Sequence, residues 1–232
     1  MALTMAEKKS NPLSEIVFNV IVPSVILMKF SGEAQLGAVG GLLVALAFPV
    51  AFGGYELVRY KKYNFIALLG IVSVLLTGGI GLLELDTKWL AIKEALIPGL
   101  IGIVVFGSTF TKFPVVRKLV LNDSVLNLGL INERLKENNN QHLFDRCLTQ
   151  SNYMFASTFL FSSIMNYILA TVIVTSKSGT EAFNEELGRL TLLSYPMIAI
   201  PSMVMMMGIF YFVWRQIRRM TQLETAQIFK AQ

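Results

Sequence analysis

The chain has 232 residues, of which 54% are hydrophobic and 15% charged, and its mean hydropathy is +0.59. Soluble domains carry about 25% charged residues, so a water-soluble globule is excluded, because too few charges are present to cover its surface. The net charge of +5 comes with no basic stripe interleaved with aromatics and no nucleic-acid-binding module, which excludes nucleic acid as a partner.

The expected fold class is all-α, a polytopic membrane helix bundle. A hydrocarbon core roughly 30 Å thick needs about 20 apolar residues of helix, since backbone polar groups in lipid must pair within their own segment. In chain order, six predicted spans cover residues 13–30, 36–54, 64–83, 89–110, 151–174 and 190–214, within a single membrane domain, 1–232. The first and fourth are unusual. Ile16 to Met28 reaches span length only by taking in Pro12 to Glu15 and letting Lys29 extend outward along its aliphatic stem. Ala95 to Phe110 does so only by starting near Trp89 and carrying Lys93 and Glu94 inside. The stretch Met28-Lys29-Phe30-Ser31-Gly32-Glu33 is a poor cleavage site and further spans follow, so the first span reads as an uncleaved helix rather than a secretory signal.

Lys and Arg set the orientation. With the N-terminus cytoplasmic, the inner segments hold fifteen of the twenty, among them Arg59, Lys112, Arg117, Arg146, Arg215, Arg218 and Arg219, while the outer loops hold Lys29, Lys88, Lys177 and Arg189. Both termini are therefore expected inside. The outer loops are acidic, with Glu33, Glu84, Asp86, Glu181, Glu185 and Glu186. The lone cysteine, Cys147, excludes an intramolecular disulfide.

Residues 111–150 form the cytoplasmic connector. Asn122-Asp123-Ser124 reads as a helix start, after which Val125, Leu128, Ile131 and Leu135 recur at helical spacing opposite Asn132, Glu133, Arg134 and Lys136. Asn138-Asn139-Asn140 then breaks the pattern into a loop. This amphipathic helix either lies on the inner leaflet or docks a partner, or it packs its apolar face on the protein's own helices.

Catalytic chemistry is missing from the pattern. The only histidine is His142, and no Gly-x-Ser-x-Gly elbow, phosphate-binding glycine loop or His-Glu-x-x-His helix occurs. No catalytic, cofactor-binding or metal-binding residue is assigned, and the chain is not expected to be an enzyme. Met203, Met205, Met206 and Met207 point all round a helix, which suits lipid contact or adaptable packing better than a copper site.

Polar residues inside spans are the functional candidates, because each is costly in the bilayer: Glu15, Asn19, Lys93, Glu94 and Asn166. Neighbouring helix positions diverge by about 100°, so Lys93 is expected to find Glu33, Glu84 or Asp86 rather than Glu94. Glu15 lies within reach of Arg59 or Lys61. The alternative is that each is an interfacial residue whose stem snorkels to water. Pro23 follows Glu15 and Asn19 in the first span, and Pro98 follows Lys93 and Glu94 in the fourth. That correspondence, with the two spans running in opposite senses, is the pattern of an inverted repeat. Glycines at 37, 40 and 41, at 78, 79 and 81, and at 99 and 102 offer faces for close helix packing.

Gly78-Gly79, Asp86-Thr87-Lys88-Trp89 and Lys93, followed by Gly107-Ser108, Lys112-Phe113-Pro114 and Arg117-Lys118-Leu119, resemble the central segment of the bacterial intracellular septation protein A family. The resemblance covers roughly residues 70–120. Glu94 stands where that family commonly has proline, and the sixth span exceeds its five-helix plan, so the chain is similar to the family's longer six-helix relatives. The resemblance implies a bacterial inner-membrane protein with a structural or interaction role in envelope or division processes. Its expected partners are membrane lipids and other inner-membrane proteins or a further copy of the chain. The alternative function is a small proton-linked carrier with an inverted three-plus-three repeat, its pathway lined by the five polar candidates.

Overall fold

The computed structural model of the chain describes residues 16–60, 65–111, 114–122 and 125–229. Among them all regular structure is helical, in chain order α1 (Val17–Lys29), α2 (Gly37–Tyr60), α3 (Phe65–Leu82), α4 (Lys88–Ser108), α5 (Val115–Val120), α6 (Leu128–Glu137), α7 (Gln141–Ile173), α8 (Glu181–Ser194), α9 (Ile200–Thr221) and α10 (Thr225–Ile228). Four stretches are long and apolar enough to cross a membrane: Gly37–Tyr55, Lys88–Ser108, Gln141–Ile173 and Glu181–Thr221, while Val17–Lys29 and Leu69–Leu82 are shorter. Large apolar side chains point away from the protein in mid-helix, with Leu75 61%, Ile103 68%, Val172 69% and Met203 64% exposed. In water such surface would drive association; in lipid it meets acyl chains. The chain is a membrane protein.

Both π-helical turns adjoin proline. Val17–Ile21 precedes Pro23, and Tyr195–Ala199 contains Pro196 and runs into Pro201. Proline supplies no N–H for the i−4 carbonyl, and a one-turn π-bulge is one way a helix absorbs that defect. Pro49 and Pro98 sit inside α2 and α4 without such a break.

The chain forms two compact units, Met1–Glu94 with Asn166–Pro196, and Ala95–Met165 with Met197–Gln232. In the first, α1 packs on α8 and α2, and α2 packs on α3. Gly188 permits the α1–α8 approach: a Cβ there would lie 2.9 Å from the Ser24 carbonyl oxygen and 2.7 Å from Met28 Cγ. Buried Asn184 donates to Ser31 Oγ (3.0 Å) and to the Ala38 carbonyl (2.7 Å), fixing the α1–α2 turn on α8. The Glu186 carboxylate accepts the backbone N–H of Thr175 and of Ser176 at 2.9 and 2.8 Å, and both their hydroxyls, closing the α7–α8 turn. The expected acidic outer loop is thus shorter than predicted. Glu181, Glu185 and Glu186 belong to α8, because the Thr180 side chain caps Phe183 N–H and buried Phe183, Leu187 and Leu190 form one helical stripe.

The second unit corrects the connector. Its helix starts at Leu128, with Asn127 accepting from Leu130 N–H at 3.3 Å, and not at Val125. Val125 therefore lies before the helix and outside its periodicity, 50% exposed, while Leu126 is buried in its place. Ile131 and Leu135 pack against Phe144, Leu148, Val213 and Ile217, so the stripe faces the protein's own helices. The loop at 138–140 is as expected, and the Asn138 and Asn140 amides donate to the Met220 carbonyl near the end of α9. α7 starts at Gln141 rather than 151, because Phe144, Cys147 and Leu148 continue its buried stripe toward the N-terminus. A second cluster joins Val105, Val116, Phe155, Ala156 and Ile209.

Candidate functional site

α4 begins at Lys88 and carries Lys93 five residues in, so the helix includes both Lys93 and Glu94. The Lys93 side chain is only 8% exposed. Its Nζ lies 2.7 Å from Thr77 Oγ1 and 3.2 Å from Ser73 Oγ on α3, and 2.7 Å from Glu94 Oε1, with the Ser73 carbonyl farther away at 3.4 Å. Thr77 also donates to the Ser73 carbonyl at 3.1 Å. An ammonium has three protons, and three close acceptors take them all. The partner is a correction to the expectation. Long, flexible lysine and glutamate stems bend toward each other across the 100° that separates their Cα atoms. Two of the three expected carboxylates are engaged elsewhere, Glu84 with Lys177 at 3.0 Å and Asp86 with Lys88 at 3.6 Å.

Of the other candidates, Asn19 does not join this cluster. Asn19 is half-buried in the π-helical turn of α1, and no hydrogen bond links it to Lys93 or Glu94 among the described residues. Asn166 is half-buried on α7. Glu15 and Lys61 lie outside the described residues, as does the side chain of Arg59, the other expected partner of Glu15. Of the small faces, Gly81 lies against Leu42 and Phe183, and Gly102 against Phe159, whereas Gly37 and Gly79 face open space.

Polar residues of consequence also occur where the sequence pattern did not single them out. Asn152, fully buried on α7, donates to the Val105 carbonyl (2.7 Å) and to Thr109 Oγ1 (2.7 Å), and accepts the Val116 N–H (3.1 Å). It therefore serves orphan backbone groups of two helix ends, the α4 C-terminus and the α5 N-terminus.

The second unit also bears an apolar groove of about 550 Å³ along α9, lined by Leu119, Val125, Phe210, Val213, Ile217 and Phe229 among others. A basic recess of about 630 Å³, lined by Arg215, Arg218, Arg219 and Gln222, shares Tyr211 and Trp214 with it. The Arg218 guanidinium carbon sits 5.2 Å from the centre of the Trp214 ring, a cation–π arrangement. A third recess, of about 360 Å³, brings Arg146 of α7 toward Arg219 and Gln216. A signal for the basic recess was present in the sequence: Tyr211, Arg215, Arg218 and Gln222 recur at i, i+4, i+7 and i+11, one helix face.

Comparison with protein-family models, with curated proteins and with solved structures finds no match to this chain. Function therefore rests on the chemistry of the sites themselves.

Proposed function

We propose that the chain is a bacterial inner-membrane protein of six spans, with both termini cytoplasmic, that acts by binding lipids and other membrane proteins in envelope or division processes, as the septation protein A family it resembles would imply. One observation carries the binding reading over the carrier. The three protons of Lys93 are all taken by Glu94, Thr77 and Ser73, so the best intramembrane charge is locally satisfied, whereas a proton pathway needs a group that exchanges protons with water. The larger recesses instead lie along α9, among apolar and arginine side chains.

Two measurements on the full chain test this. In proteoliposomes loaded with a pH-sensitive dye, an imposed proton gradient is expected to decay no faster than in empty vesicles. Fast decay that Lys93→Met abolishes would replace the binding reading with the carrier. For the topology, Lys177→Cys in intact cells should react with an impermeant maleimide and Gln141→Cys should not. The native Cys147, 4% exposed, gives little background. Labelling in the opposite sense would invert the orientation.

A further inference from the structure

We propose that the groove and basic recess along α9 form a binding site for one anionic glycerophospholipid, with an acyl chain in the groove and the phosphate on Arg215, Arg218 and Arg219. This rests on the binding reading above and specifies its ligand.

The two recesses meet at Tyr211 and Trp214, so an amphiphile with one apolar tail and one anionic head matches them in order. The groove's volume lies in the range of small-molecule sites, and its lining is almost wholly apolar. At the other end, Arg215 and Arg219 have no acidic partner among the described residues. Arg218 lies over the Trp214 ring, and a stacked guanidinium still offers its N–H edge to an anion. From 197 to 229 the only acidic residue is Glu224, whose side chain is held in a capping box with Gln227 at the start of α10. The patch is therefore a net cation with little internal neutralisation.

Its place along the chain points to lipid. Tyr211 and Trp214 close an apolar span, the position where amphipathic aromatics mark the headgroup level. Three arginines follow within five residues, and basic clusters just beyond a span on the cytoplasmic side are attracted to anionic headgroups. The groove opens beside Val125, the connector residue that dropped out of the helical stripe. That residue gives the tail a wall without taking part in the core.

Native mass spectrometry of the full chain released from detergent, with phosphatidylglycerol or phosphatidylcholine added, tests the site. Phosphatidylglycerol should bind at least about tenfold more tightly than phosphatidylcholine, and the triple variant Arg215→Gln, Arg218→Gln, Arg219→Gln should lose on the order of tenfold to a hundredfold of that affinity. The triple Arg→Lys variant, which keeps the charge, should retain most of it, and this separates a lost site from a lost fold. Val125→Trp, filling the groove, should weaken both lipids. Arg189→Gln, at an arginine paired with Glu185, should change neither. Soluble glycerol 3-phosphate should not displace the bound lipid. Equal binding of the two lipids, an unaffected triple Gln variant, or displacement by glycerol 3-phosphate would each overturn the proposal. The proton-flux assay keeps the two readings apart: lost lipid selectivity in proton-tight vesicles removes only this site, and proton flux with selectivity intact removes only the binding reading.

Discussion

Lys93→Met is expected to destabilise the protein by about 3 kcal/mol, the lower end of the 3–5 kcal/mol that follows removal of one partner from a buried ion pair. The loss comes mostly from what is left behind. Glu94 would keep its charge with no counter-ion at 2.7 Å, and the Thr77 and Ser73 hydroxyls would lose their donor. The lower end applies because the Glu94 side chain retains 28% exposure and can recover some solvation. Adding Glu94→Gln to Lys93→Met should restore part of the stability, since no uncompensated charge then remains. Glu94→Gln alone leaves a buried ammonium with two hydroxyl acceptors and should fall between. Thr77→Val removes one neutral acceptor of a charged donor and should cost less, about 1.5–3 kcal/mol. Unfolding of the four variants in mixed micelles gives the coupling energy directly. If Lys93→Met melts like the parent and shows no coupling to Glu94→Gln, the pair contributes nothing and Lys93 is an interfacial anchor.

The geometry of that pair shows where sequence reading ends. That Lys93 and Glu94 belong to the same helix as the apolar run after them was legible, because that run is too short for a span without them, and α4 does start at Lys88. Which carboxylate Lys93 meets was not legible. Helix periodicity places Cα atoms, but the reach of two long side chains is enough to overrule a 100° divergence. The apolar runs of α2, α4, α7 and Glu181–Thr221 were readable for a similar reason, since lipid imposes a length and a composition on a span. Their ends were less so. Phe144, Cys147 and Leu148 extend α7 ten residues beyond its apolar run because they bury against protein rather than lipid. A hydropathy window records only the solvent a residue would tolerate, not the neighbour it finds. Val125 failed for a local reason: Asn127 wins the N-cap, so the helix begins at Leu128, three residues later than the Asn122-Asp123-Ser124 signal implied. The lipid site was half legible. The arginines and aromatics of α9 share a face in the sequence, but the groove exists only because Leu119, Val120, Val125, Leu126 and α10 line it from beside α9, with Leu126 bridged to Phe229.

Asn152→Leu should produce the other large loss, about 2–6 kcal/mol, from the buried Val116 N–H left unpaired at about 1–3 kcal/mol and from the hydrogen bonds to Val105 and Thr109 lost at about 0.5–1.5 kcal/mol each. The substitution nearly conserves volume, so the loss reads hydrogen bonding rather than a cavity. Its components differ in weight. The Val105 carbonyl keeps one donor, since Ser108 Oγ bonds it at 2.6 Å. Val116 N–H has its 3.1 Å bond to Asn152 Oδ1 in the first turn of α5, where no intrahelical acceptor exists. That amide is the group most exposed to the change. Asn152→Asp sharpens the test: it keeps an acceptor for Val116 but presents a carboxylate, at a fully buried position, to the Val105 carbonyl oxygen that the amide now serves as donor. A buried charge facing an acceptor is worse than an apolar side chain, so the Asp variant should be at least as destabilised as the Leu variant. Hydrogen exchange separates the two, because Val116 should lose protection in Asn152→Leu and keep more of it in Asn152→Asp. An Asn152→Leu protein as stable as the parent, with Val116 still protected, would show that α4 and α5 close their ends without Asn152. A single amide on α7 serves both ends, and the turn from α4 to α5 depends on it.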